Sequence, residues 1–218
     1  MTDSSWPENY IQINRAAYEA LAAEYRLRIP ADASRDPSIV KPFLDLLGPC
    51  SGKCHVLDVG CGGGLNLALF VDAGCEATGI DVSPAMLRLA RETCPRARLL
   101  EGDFLSFNFG TEVFDGVFAK AIIHLFTRAD ARRFLVRARA LLTAKGILYV
   151  TTTINDAGQS GLRPKTDYSK EVFRYRRVWT RNELVDAVES AGFVITRQGL
   201  NEESDRGKIW FNIWAIKP

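Results

Sequence analysis

Val56-Leu57-Asp58-Val59-Gly60-Cys61-Gly62-Gly63-Gly64 is the stretch that decides the fold. Val56, Leu57 and Val59 around a single acid read as a short buried strand, and the glycines that follow end it. Without a Cβ, Gly60, Gly62 and Gly64 let the backbone turn sharply and admit a ligand close to the main chain. Leu65, Ala68, Leu69 and Val71 then recur at helical spacing up to a stop at Gly74. Strand, glycine turn and helix form the nucleotide-binding turn of an open α/β sheet. A dinucleotide fingerprint, G-x-G-x-x-G, would need glycine where Leu65 stands. The chain carries D-x-G-x-G-x-G instead, and an acid just before the first glycine suits a cationic ligand better than a pyrophosphate.

Further along, Glu76–Asp81 is a second strand that ends on an acid about twenty residues past the glycines, where such sheets place a carboxylate against ribose hydroxyls. Ser83 and Pro84 supply an N-cap and a first-turn proline for the helix that follows. Residues 97–100 make a third strand, followed by Glu101-Gly102-Asp103-Phe104, an acid and an aromatic suited to an exocyclic amine and a flat ring. Residues 113–119 are a fourth strand, 128–142 a helix with Phe134, Leu135, Ala138 and Leu141 on one face, and 146–153 a fifth strand. Thr180 and Glu183 form a capping box. Residues 193–198 and 208–216 close the sheet as an antiparallel hairpin.

Asp58–Gly64, the phrase Gly79-Ile80-Asp81-Val82-Ser83-Pro84-Ala85-Met86-Leu87, the Asp103-Phe104 pair and the terminal hairpin together resemble the class I S-adenosylmethionine-dependent methyltransferases over residues 36–218. The resemblance implies a Rossmann-like, doubly wound α/β sheet of seven strands with the last antiparallel. It also implies S-adenosyl-L-methionine as cofactor and S-adenosyl-L-homocysteine as product. Gly60, Gly62 and Gly64 would wrap the methionine part, with Asp58 near its ammonium. Asp81 and Val82 would meet the ribose, Asp103 the adenine amino group, Phe104 the ring, and Ala119 would complete the set. Phe104 also suits ordinary core packing.

Residues 8–28 and 39–47 read as helices that the nucleotide fold itself does not need. Packing on the sheet would account for them, but N-terminal helices of the resembled family cover the substrate, so the resemblance implies a helical lid over residues 1–35; residues 154–179 are expected to form a substrate-side insertion. The segment 155–179 is loop-rich and holds six basic residues against three acidic ones.

Methyl transfer of the kind the resemblance implies is an in-line displacement, so the protein chiefly positions the acceptor. A general base is needed only when the acceptor arrives protonated. His124 is the candidate base, because it follows the fourth strand and its ordinary pKa lies near neutrality; a histidine packed at a helix start is the equal alternative. The fragment Ala121-Ile122-Ile123-His124-Leu125-Phe126 resembles phosphoethanolamine methyltransferases, in which a tyrosine from the N-terminal helix works with the histidine; Tyr10, Tyr18 or Tyr25 could supply that phenol here, and Tyr18 is the candidate. Lys120 stands where those enzymes carry an acid, which argues against a phosphobase. Lys120 with Arg174 and Arg176, which alternate onto one face of an extended segment, would instead attract an anionic acceptor. A solvated basic loop is the competing reading.

The 218 residues fit one domain with a small appendage, and a formal charge of +2 is too small for a dedicated nucleic-acid binder. No apolar run reaches membrane-spanning length, and the N-terminus lacks the basic start and apolar core of a secretory signal. Five cysteines without a C-x-x-C pair, beside two histidines, predict reduced thiols in a cytoplasm and no metal. The expected activity is methyl transfer to an oxygen or nitrogen of a small molecule by a monomer or homodimer. Methylation of RNA or protein, docked on the basic 163–177 loop, and cofactor binding without transfer are the alternatives.

Overall fold

The computed structural model describes residues 9–28, 37–48, 53–155, 160–203 and 207–218. In chain order the elements are α1 (Tyr10–Arg28), α2 (Pro37–Leu47), β1 (His55–Val59), α3 (Leu65–Asp72), β2 (Glu76–Asp81), α4 (Pro84–Thr93), β3 (Arg98–Glu101) and β4 (Phe114–Lys120). A 3-10 turn (Ile123–Leu125), α5 (Arg128–Leu141), β5 (Leu142–Ile154), β6 (Gly161–Lys165), β7 (Val172–Arg176), α6 (Arg181–Ser190), β8 (Val194–Glu203) and β9 (Lys208–Ile216) follow.

Seven strands form one sheet in the order β3-β2-β1-β4-β5-β9-β8. β3, β2, β1, β4 and β5 pair in parallel, while β9 runs antiparallel to both β5 and β8. The chain leaves β1 toward β2 on one side and later returns to β4 on the other. The crevice at the carboxyl ends of β1 and β4 is therefore the topological switch point, where ligands of open α/β sheets bind.

Residue alternation explains why both faces are covered. On β5, Ile147 and Tyr149 join one core while Leu148 and Val150 join the other. One core takes Phe134, Leu135 and Ala138 of α5 with Leu184 and Val188 of α6; the other takes Val40 and Phe43 of α2 with Leu67 and Phe70 of α3. In the second core Phe43 meets Phe118 edge-on at 5.2 Å, and Phe118 stacks on Tyr149 at 4.4 Å. Each such pair adds about 0.5–1.5 kcal/mol beyond area burial. Gly116 is explained here, because a Cβ on it would lie 2.5 Å from the Phe43 ring.

Several expectations shift. β5 begins at Leu142, directly out of α5, and β8 runs on to Glu203, so the terminal hairpin is longer than the apolar pattern indicated. Within the loop-rich 154–179 segment, β6 and β7 pair as an antiparallel hairpin with Arg163 opposite Arg174. The expected lid boundary at residue 35 lies outside the described residues. α1 packs against β7 and α4: the Asn14 amide donates to the Leu125 carbonyl (3.1 Å) and accepts from the Tyr175 amide (2.7 Å). Cys54 is disulfide-bonded, which corrects the expectation of reduced thiols throughout; Cys61, Cys75 and Cys94 are free. Among the described residues no helix is long and apolar enough to cross a membrane, and no group of three or more His, Cys, Asp or Glu side chains could hold a metal ion.

Candidate active site

The glycine turn after β1 is stitched to the end of β2, since the Gly60 and Cys61 amides both donate to the Ile80 carbonyl (2.8 and 3.2 Å). Gly64 sits at φ 81° at the start of α3, and a Cβ there would stand 2.9 Å from the Cα of Ala90 on α4. Its role is thus left-handed geometry and close helix approach. Gly62 is different: a Cβ there would find only the Tyr25 hydroxyl, at 3.8 Å. The Asp81 carboxylate accepts from the Gly62 amide with one oxygen and from the Ser83 amide with the other, both at 2.9 Å. Burial raises the Asp81 pKa, against the pull of the Ser83, Gly62 and Val82 amides.

These residues border one cavity at the switch point. Gly60, Gly62, Asp81, Val82, Asp103, Phe104 and, at the end of β4, Lys120 line its sheet side, and Tyr18 and Tyr25 its α1 side. Asp103 is fixed by the Leu105 amide (3.0 Å), and Phe104 packs on Phe134 at 4.9 Å, so Phe104 serves core and cavity together. Ala119 is fully buried in the core and does not line the cavity; Lys120 and Ala121 beyond it do. Ala121 adopts φ 58°, an unfavourable left-handed conformation for alanine, at the lip where β4 ends.

Asp58 lies beneath the turn, 1% exposed, and its Oδ2 has no hydrogen-bond partner among the described residues. Burial pushes its pKa up to about 7, while the Lys120 charge draws it down. A buried, incompletely satisfied carboxyl oxygen is costly. Under a glycine turn it fits a ligand that brings a cationic donor.

The acceptor-side candidates divide. His124 is 3% exposed and does not border the cavity, although its neighbours Leu125 and Phe126 do. Its Nδ1 lies 3.1 Å from the Thr152 hydroxyl, and its carbonyl accepts from the Arg177 amide at 2.7 Å. Burial, followed by the charges of Arg174, Arg176, Lys165 and Lys208, drives its pKa well below the ordinary value, so the ring is neutral. Tyr18 accepts from the Arg174 guanidinium at 2.5 Å, so its phenol is joined to that arginine and not to His124. Arg176 donates to the Thr153 hydroxyl. Arg174 and Arg176 do lie on one face of β7, as their alternation indicated.

Sequence reasoning missed Asn14, Met86 and Ile122 around the cavity, and Lys165, Asp167 and Lys208 beside it. Asp167 pairs with Lys165 at 3.2 Å and Lys208 at 3.3 Å. Lys165 lies inside the basic loop and was within reach of the charge pattern. Lys208 is 41 residues from Asp167, and no local signal links the two.

Residues 56–146 match the model of a methyltransferase domain. The chain is 29% identical over 174 residues to the 18S rRNA (guanine-N(7))-methyltransferase of Schizosaccharomyces pombe, covering 77% of this chain and 59% of that protein. It thus spans about three-fifths of the length of the first curated relatives it matches. Its fold is similar to Burkholderia thailandensis 1,6-didemethyltoxoflavin-N1-methyltransferase with bound 1,6-didemethyltoxoflavin and S-adenosylhomocysteine: TM-score 0.75, 22% identity, covering 98% and 91% of the two chains. Magnesium protoporphyrin IX methyltransferase of Synechocystis PCC 6803 with bound S-adenosylmethionine superposes over the whole of both chains with a TM-score of 0.73 at 14% identity. The matched domain, the strand order and the acid-bordered glycine turn agree: residues 56–146 carry a methyltransferase domain, and the chain has the fold of S-adenosylmethionine-dependent methyltransferases.

Proposed function

We propose that the protein transfers a methyl group from S-adenosyl-L-methionine to an oxygen or nitrogen of a small, anionic molecule. The observation that carries this reading is one cavity lined by the glycine turn, Asp81, Asp103 and Lys120 from the sheet and by Tyr18 from α1. S-adenosylmethionine, when bound, supplies an electrophilic methyl group on a sulfonium. Asp58 would answer its ammonium, Gly60 and Gly62 its methionine chain, Asp81 and Val82 its ribose, and Asp103 and Phe104 its adenine. α1 acts as the lid that excludes water, with Tyr18 and Tyr25 facing inward. Lys120, Arg174 and Arg176 draw in and orient the acceptor. His124, neutral and bonded to Thr152, serves as a proton acceptor only if lid movement brings it to the acceptor; otherwise it braces the turn after β4.

RNA methylation is the second reading, favoured by the rRNA-modifying relative. Transfer of labelled methyl from S-adenosylmethionine into separated small-molecule, RNA and protein fractions of a cell extract decides between them, with Asp81→Ala as control. Label in the small-molecule fraction, lost in the variant, is expected; label confined to RNA would replace the reading.

A further inference from the structure

Beside the cofactor cavity, on the far side of Tyr18, four cationic side chains from separate parts of the chain share one neighbourhood. Arg174 and Arg176 come from β7, Lys165 from the end of β6, and Lys208 from the start of β9. The two arginines occupy alternate positions on one face, about 7 Å apart along the strand. Arg174 reaches Tyr18, which borders the cavity, and Arg176 reaches Thr153 at the carboxyl end of β5. The Nε of Arg176 is buried without a partner among the described residues. Lys165 is only 8% exposed, and burial with the nearby Arg174 pushes its pKa down to about 8.

Among the described residues the carboxylate paired within this group is Asp167, on the β6–β7 turn, whose Oδ2 is shared by both lysines. The lysines hold Asp167 well below the usual carboxylate range although burial opposes them. Among the described residues, four cations around one carboxylate leave an excess of positive charge that an anionic ligand would offset. Solvation does little for Lys165, which is enclosed and shares the Asp167 carboxylate with Lys208. A long polyanion could not follow a strand-like path to so enclosed an ammonium, whereas a compact anionic group could.

Resting on the small-molecule reading above, we infer that Arg174, Arg176, Lys165 and Lys208 form the seat for a doubly charged oxyanion on the methyl acceptor, a phosphate monoester or two neighbouring carboxylates, and that Asp167 is the internal carboxylate this group displaces. Displacement costs the protein no charge pair, because the incoming group takes over both lysines as Asp167 swings out on its turn. The arrangement places the anionic end of the acceptor behind Tyr18 and directs the remainder of the molecule past Tyr18 toward Lys120 and the cavity.

The test is calorimetric titration of the whole chain, loaded with S-adenosylhomocysteine, using inorganic phosphate, succinate and a short single-stranded RNA as separate probes. Phosphate or succinate should bind, and whichever binds tighter identifies the chemistry. Arg176→Gln and Lys208→Gln should each weaken it about tenfold or more, the loss of one charge-assisted contact. Asp167→Asn should tighten it, an effect opposite in sign to that of simple damage to the fold. Unchanged S-adenosylhomocysteine affinity in each variant certifies the fold. Failure of both small anions to bind, or weaker anion binding in Asp167→Asn with the cofactor product still bound, overturns the inference and leaves a small neutral acceptor standing. RNA that binds more tightly than either anion and is lost in Arg176→Gln overturns the inference and the small-molecule reading together.

Discussion

Asp81, the last residue of β2, accepts a hydrogen bond from the backbone amide of Gly62 across 2.9 Å, so the acid and the glycine turn fix each other. Two segments nineteen residues apart in sequence thereby become one surface. The second oxygen is held by Ser83 at the start of α4, leaving the remaining lone pairs toward the cavity. Asp81→Asn would present an N–H to the Gly62 or Ser83 amide and disturb the turn as well as the ligand contact. We expect S-adenosylhomocysteine affinity to fall about tenfold or more, the loss of a charge-assisted acceptor. Titration calorimetry checks this, and affinity within twofold of the parent would refute the role.

Asp58 predicts a pH dependence. Its folded pKa, about 7, lies above its ordinary value of 3.8 because burial penalises the carboxylate. Between those values the folded state binds more protons than the unfolded state, so the contribution is fully present below the unfolded pKa and is lost as pH rises through about 7. Asp58→Asn should therefore be the more stable protein at pH 8, by an amount on the order of a few kcal/mol, with the difference shrinking toward pH 5. A cationic ligand should reverse the sense, favouring the ionised acid, so its affinity should rise with pH across this window in the parent and not in the variant. Urea unfolding and ligand titration at several pH values measure both.

Asn14 carries a prediction about α1. Its buried side chain bonds Leu125 before α5 and Tyr175 on β7, tying helix, turn and hairpin at one point. Asn14→Ala leaves a buried carbonyl and a buried amide without their partner, at about 1–3 kcal/mol each when water cannot replace it. The expected signature is a lower unfolding midpoint together with faster amide exchange in α1 and β7, while β1 and β4 keep their protection. Uniform loss across the sheet would mean that α1 is not a separate unit.

The sheet was legible because its signals are local. Val56–Val59 is buried on both faces and reads as an apolar run; Ser83-Pro84 and Thr180-Glu183 are capping devices complete within four residues. The glycine turn, Asp81 and Asp103 were readable for the same reason, since each lies at or just past the end of a strand. Ala119 shows the limit: one residue short of the strand end, it faces the core while Lys120 and Ala121 face the cavity. The basic cluster was only half visible. The alternation of Arg174 and Arg176 marks a shared face, but Lys208 joins them through the pairing of β9 with β5, a contact between distant segments with no local trace. The Cys54 disulfide was hidden likewise, because spacing alone does not report how near two sulfurs come.

Glu19 supplies the last prediction, on whether α1 acts as the proposed lid. From the middle of α1 its Oε1 accepts from the Ser83 hydroxyl (2.7 Å) and the Ala85 amide (3.1 Å), at the N-terminal end of α4 and within a few residues of Asp81. A carboxylate there satisfies a free amide and faces the positive end of the helix, an arrangement contributing about 0.3–1 kcal/mol or more when partly buried. The same contact ties the middle of α1 to the start of α4, two residues beyond Asp81. Glu19→Gln keeps the shape and removes the charge. Global stability should fall by no more than about 1 kcal/mol. Release of S-adenosylhomocysteine should accelerate severalfold while association changes little, because the loosened lid affects the closed state most. Stopped-flow displacement reads both rates. A release rate equal to the parent's would show that α1 is a fixed wall of the site and not its gate.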